Sequence, residues 1–176
     1  LDSMKSRNIL LRRQKHFRFD AICCMKMPEL YPGQNCGMTC YYDENTYIKF
    51  AVFATLDEEP RLMLNIVEKI GEEVITHEGI MVDNSNPYIY LKCETNYLRR
   101  VFSYSYNEKD YKKVAALDNV YYLCDEGYNK GKRFTGAMIG MYAFAGTYGS
   151  QYTDAEGRHG IDEYYAVFDY FKYIEK

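Results

Sequence analysis

The chain has no tryptophan in 176 residues, and its aromatic content rests on 20 Tyr and 9 Phe. Tyrosine favours pleated, half-buried surfaces, where the ring packs and the hydroxyl reaches water or a partner. No apolar run is long enough to cross a bilayer as a helix, so no membrane partner is expected. No secretory signal is visible, and no N-x-[ST] sequon is present. No window keeps a helical period between caps. A basic stripe is also missing. The formal charge is -3, and basic clusters such as Arg12-Arg13 and Lys130 to Arg133 are short. That balance excludes an extended nucleic-acid footprint.

Catalytic signatures are missing too. No serine or cysteine carries a local nucleophile motif. Gly127 to Arg133 has the glycines and lysines of a phosphate loop, but the spacing is wrong and no Ser or Thr follows the lysine. Cys36-x3-Cys40 has no matching second pair, which argues against zinc. The other cysteines are Cys23, Cys24, Cys93 and Cys124. A domain of this size does not need disulfides, and the spacing is not that of a small secreted scaffold. Free thiols in a reducing compartment, and hence a cytoplasmic location, are the expectation. The first residue is Leu1 rather than Met, which suggests a piece of a longer protein.

What is present is period two. From His16 to Met27, Phe17, Phe19, Ala21, Cys23, Met25 and Met27 share one face, with His16, Arg18, Asp20 and Lys26 on the other. This is the pattern of a strand with one buried side. Cys36 to Tyr42 and Thr46 to Ala54 flank the polar turn Asp43-Glu44-Asn45. Arg61 to Ile70 and Glu73 to Val82 pair around Gly71, and Tyr88 to Thr95 and Tyr97 to Tyr106 pair around Asn96. Asn107 to Asp110 turns into Tyr111 to Val114. Strand-type runs at Arg133 to Met141 and Val167 to Tyr173 close the sequence. Turns every ten to fifteen residues predict an all-β sandwich or barrel. The 176 residues form one domain with a substantial core. Gly146 to Glu163 is the longest irregular stretch.

Several segments, in order, carry a resemblance. They are Leu11-Arg12-Arg13-Gln14 with Phe17-Arg18-Phe19, Gly37 to Tyr42, Phe102 to Tyr106, Phe134-Thr135-Gly136-Ala137 with Ile139-Gly140, and Phe168 to Phe171. Together they resemble the C-terminal β-sandwich of family 43 glycoside hydrolases, the β-xylosidase and α-arabinofuranosidase group. The resemblance implies a concanavalin-like antiparallel sandwich of jelly-roll type, following a five-bladed propeller that holds the acidic catalytic residues. On that reading this chain has no catalytic residue of its own. Its partners are the propeller of the same polypeptide, a xylo- or arabino-oligosaccharide in the parent enzyme, and further copies in an oligomer. The phenylalanine of F-T-G-A, here Phe134, reaches into the sugar pocket, supported by Arg133, Thr135 and Gly136. Two departures stand out. The family's sandwich begins with strands upstream of Leu1, whose absence would uncover an edge. The segment between Gly140 and Phe168 is also longer than usual.

Each candidate has a plainer reading. Phe134 could equally start a strand in the core, and Gly136 and Gly140 could serve tight packing. Tyr41-Tyr42, Tyr88, Tyr90, Tyr121-Tyr122 and Tyr164-Tyr165 could form a sugar platform, making the chain a free-standing carbohydrate-binding module. However, alternation allows each pair only one ring per face. Asp154, Glu156, Asp162 and Glu163 beside His159 offer oxygens of the kind calcium takes. Without an EF-hand pattern they read as a solvated loop, and no cofactor or metal is expected. His16 and His77 read as surface or satisfied core residues.

Overall fold

The computed structural model describes residues 1, 8–127, 136–144 and 165–176. In chain order the strands are β1 (Ile9–Arg13), β2 (Arg18–Lys26), β3 (Asn35–Asp43), β4 (Thr46–Ala54), β5 (Leu62–Ile70), β6 (Glu73–Thr76), β7 (Ile80–Met81), β8 (Tyr88–Asn96), β9 (Arg99–Ser105), β10 (Lys112–Leu117), β11 (Met138–Phe144) and β12 (Phe168–Glu175). A 3-10 turn covers Tyr121–Leu123. The strands form two antiparallel sheets. One runs β1-β11-β3-β4-β5-β6, with β7 also on β5, and the other runs β10-β9-β8-β2-β12.

Period-two burial makes the core. Phe19, Ala21, Cys23 and Met25 of β2 and Ile89, Leu91 and Cys93 of β8 face Cys36, Met38 and Cys40 of β3 and Ile48, Phe50 and Val52 of β4. Phe50 and Phe102 meet between the sheets with ring centroids 5.2 Å apart. Each large side chain taken fully out of water contributes about 2 kcal/mol. A smaller cluster of Tyr47, Ala51, Tyr142 and Leu1 covers part of the larger sheet's outer face.

The Asp43-Glu44-Asn45 turn forms as expected, with the Asn45 N–H donating to Asp43 Oδ1 at 2.9 Å. Four expectations need correction. Phe17 is 76% exposed rather than core. It precedes the ladder, which begins at Arg18, and stacks on Tyr97 at 5.6 Å. The run Glu73 to Val82 is broken at His77–Gly79 into β6 and β7, both on β5. The strand expected at Tyr111 begins at Lys112 and continues to Leu117. β1 was not expected as a strand from its pattern, yet it forms one edge of the larger sheet on β11.

Gly140 explains how β1 can sit there. It pairs with Leu11, and a Cβ at this position would collide with the Leu10 carbonyl oxygen and with the backbone of Leu11. The other end of the chain reinforces the same corner. Tyr173 of β12 stacks on Phe19 at 4.4 Å, lies 4.0 Å under the Arg12 guanidinium and accepts hydrogen bonds from the backbone N–H groups of Lys15 and His16.

The segment after β10 plugs one rim of the sandwich. Val120 and Leu123 enter the core. Tyr42 Oη donates to Asp125, and Tyr122 Oη donates to the buried Glu68 carboxylate. The other Glu68 oxygen meets His77 Nε2 at 2.7 Å. Glu68 follows Leu64 and Ile66 on the inward face of β5, so its charge is tolerated only because both oxygens are engaged.

Two outcomes follow from this packing. Gly140→Ala should cost about 2 kcal/mol in urea unfolding and accelerate hydrogen exchange across Ile9–Arg13. An unchanged midpoint would show that β1 does not depend on the close approach. Tyr122→Phe should cost about 2 kcal/mol by removing a bond to a buried charge, with faster exchange in 118–127. Equal exchange in the variant would contradict the plug.

Candidate functional site

The rim closed by this plug carries a cleft of about 280 Å³. Its walls come from the β1–β2 link (Arg13 to Phe17), the β8–β9 hairpin (Thr95 to Arg100), the plug, and Gly136-Ala137 at the entry to β11. The hairpin turn places Tyr97 at φ 53, a region that disfavours bulky residues. That cost is offset by its contacts. The Tyr97 N–H donates to the Phe17 carbonyl at 2.7 Å, and Arg18 lies 5.3 Å over the ring.

Arg100 forms the floor. It is 4% exposed. Its Nη1 donates to the carbonyls of Tyr97 at 2.6 Å and Arg99 at 3.2 Å. Its Nη2 donates to Gln14 Oε1 at 3.0 Å. Gln14 is itself held to β11, its N–H donating to the Ala137 carbonyl at 3.0 Å. Arg13, Lys15, His16 and Arg100 line the cleft, and among the described residues no Asp or Glu does. His16 Nε2 lies 3.2 Å from Glu175 Oε2, while its Nδ1 is buried with no hydrogen-bond partner among the described residues.

Gly136 sits on the lip with φ 65, and a Cβ there would lie 2.6 Å from Arg13 Nη1. A left-handed backbone against a neighbouring side chain requires glycine. Phe134, Arg133 and Thr135 lie outside the described residues, as do Asp154, Glu156, His159, Asp162, Glu163 and Tyr164. Among the described residues, no three His, Cys, Asp or Glu side chains gather as a metal would need.

The tyrosines do not assemble into one platform. Tyr42 is core, while Tyr41 stacks on Tyr47 at 6.2 Å on the outer face of the larger sheet. Tyr90 and the exposed Tyr88 lie on β8 of the other sheet, Tyr90 tilted against Tyr170. Tyr121 is exposed at the rim, and Tyr122 turns in to Glu68. Tyr165 is exposed before β12. Cys36 and Cys40 point inward four residues apart on one strand, about 13 Å along it, too far to share an ion. The sequence reading missed Arg100 and Glu68. Each is a charged residue on the apolar face of an alternating strand, which is the one signal that marks them.

Comparison with known proteins fits this architecture. A family model described as the "Beta xylosidase C-terminal Concanavalin A-like domain" matches residues 1–174. A β-xylosidase of Bacillus subtilis is 28% identical over 181 residues, covering 100% of this chain and 31% of the relative. A putative β-xylosidase of Escherichia coli is 24% identical, covering 98% of this chain and 30% of the relative. The crystal structure of a GH43 protein from Bacillus licheniformis superposes with a TM-score of 0.82 at 27% identity, covering 99% of this chain and 31% of that one. The chain thus spans less than a third of the length of these relatives. It belongs to the family of β-xylosidase C-terminal concanavalin A-like domains.

Proposed function

We propose that this chain is the accessory C-terminal sandwich of a family 43 glycoside hydrolase acting on xylo- or arabino-oligosaccharides. The observation that carries this reading is the match over residues 1–174 to a domain that makes up about 30% of β-xylosidases. The hydrolytic carboxylates belong to the propeller of the same polypeptide, on which the sandwich packs. The workplace is cytoplasmic, where six free thiols are stable.

Phe134 is the residue that extends from the sandwich into the sugar pocket. Support comes from its neighbour Gly136, whose left-handed backbone turns the chain at the lip of the cleft before β11 begins. On this reading Arg133 and Thr135, its neighbours in sequence, are the loop support. An apolar ring against a sugar face excludes water and contributes through the area it buries. Independent carbohydrate binding is the weaker reading, because the candidate tyrosines are divided between two sheets and the rim.

The test is Phe134→Ala in the full polypeptide. KM for xylo-oligosaccharides should rise severalfold while the thermal midpoint stays unchanged. Unaltered kinetics would remove Phe134 from the pocket. Saturable heats on titrating xylo-oligosaccharides into this chain by itself would instead favour a binding module.

A further inference from the structure

Four exposed apolar side chains gather at the rim that holds the cleft. They are Phe17, Tyr97, Leu98 and Tyr121. The first three line the cleft. Tyr121 follows Val120, another lining residue, whose N–H donates to the Leu98 carbonyl at 2.9 Å. Single exposed apolar residues are normal on any protein surface, whereas a contiguous group marks a site of interaction. This group is also held in place. The rings of Phe17 and Tyr97 stack, the backbones of the two residues are hydrogen-bonded, and Arg18 covers the Tyr97 ring. Side chains already fixed lose little freedom when a partner arrives.

The same rim is positive without counter-charge. Arg13 and Lys15 line the cleft and are exposed, and neither joins an ion pair among the described residues. Arg100 beneath them adds a third cation. A concave surface of one sign focuses its field on whatever enters, and aromatic rings beside arginine are what the centres of protein interfaces contain. The other broad faces are already settled. On the outer face of the larger sheet, Tyr47, Ala51 and Tyr142 are buried with Leu1. On the smaller sheet and its flanking turn, Lys92, Lys172 and Lys176 are paired with Asp20, Glu94 and Glu108.

We propose that this rim is the surface by which the sandwich docks on the rest of its own polypeptide. The Phe17–Tyr97 pair, with Leu98 and Tyr121, packs on an apolar patch of that partner, and Arg13 and Lys15 receive a carboxylate set within it. The inference rests on the reading of this chain as an accessory domain, and it names the face and the chemistry of the contact. The chain covers 30% and 31% of two β-xylosidase relatives, so on that reading most of the parent lies outside it and is available as the partner.

The experiment is hydroxyl-radical footprinting of the full polypeptide, with oxidation of each side chain normalised for its intrinsic reactivity. Met81, 66% exposed on β7, serves as the internal reference. Phe17, Tyr97 and Tyr121 should be oxidised severalfold less than Met81, although Phe17 is the more exposed of the two within this domain. Tyr97→Gly, which suits the left-handed turn, should raise oxidation of Phe17 and Tyr121 severalfold. Arg13→Glu with Lys15→Glu should do the same, and high salt should act in that direction on the parent. Oxidation of Phe17 and Tyr97 equal to that of Met81 would overturn the proposal. Protection falling instead on another face of the sandwich would overturn it while leaving the accessory reading intact, which the kinetics of Phe134→Ala test separately. Protection lost on dilution would mean a second copy, and protection seen only with added xylo-oligosaccharide would mean a sugar. Either result overturns the proposal, as does a footprint unchanged by the charge reversal.

Discussion

Two sheets that each bury one face still leave a rim, and closing that rim sets the terms for the rest of this molecule. The sides of the core close by alternation alone. The rim cannot, because turns and strand ends bring polar backbone with them. Here it is closed by charged residues placed on inward faces, each held by partners of its own. Glu68 is held between His77 and Tyr122, and Arg100 is held by two carbonyls and Gln14. The plug from Val120 to Asp125 is fastened between them. The cleft is the space this closure leaves, so its shape and its positive lining share one origin.

Most of the fold was legible because half-buried antiparallel strands have an unambiguous period. β2, β3, β4, β5 and β8 were placed closely by alternation. β1 was not, since Ile9-Leu10-Leu11-Arg12-Arg13 does not alternate and its pairing depends on a glycine 129 positions later, at 140 against 11. Phe17 fits the period of β2 but lies beyond its ladder, where pairing rather than pattern decides. The break between β6 and β7 coincides with His77, which a pattern of apolar residues treats as neutral but which the structure uses to hold Glu68.

The candidate site was less legible. Family resemblance pointed to Phe134 and Gly136, and Gly136 does border the cleft. Arg100 was marked only by being a charged residue on the apolar face of an alternating strand, and its partners, two carbonyls of its own hairpin and Gln14 from 86 residues earlier, come together only in the fold. Pairings across a sandwich depend on sheet stacking, and that is information no strand holds by itself.

The clamp made by Tyr173 has a temporal side. Its hydroxyl holds the backbone of Lys15 across a sequence separation of 158 residues, and its strand completes the smaller sheet beside β2. A ribosome therefore delivers β2 early and its edge partner last. Throughout that interval β2 has an open hydrogen-bonding edge and an apolar face. Any polypeptide synthesised before this domain gains time to finish its own folding while the sandwich waits for its last strand.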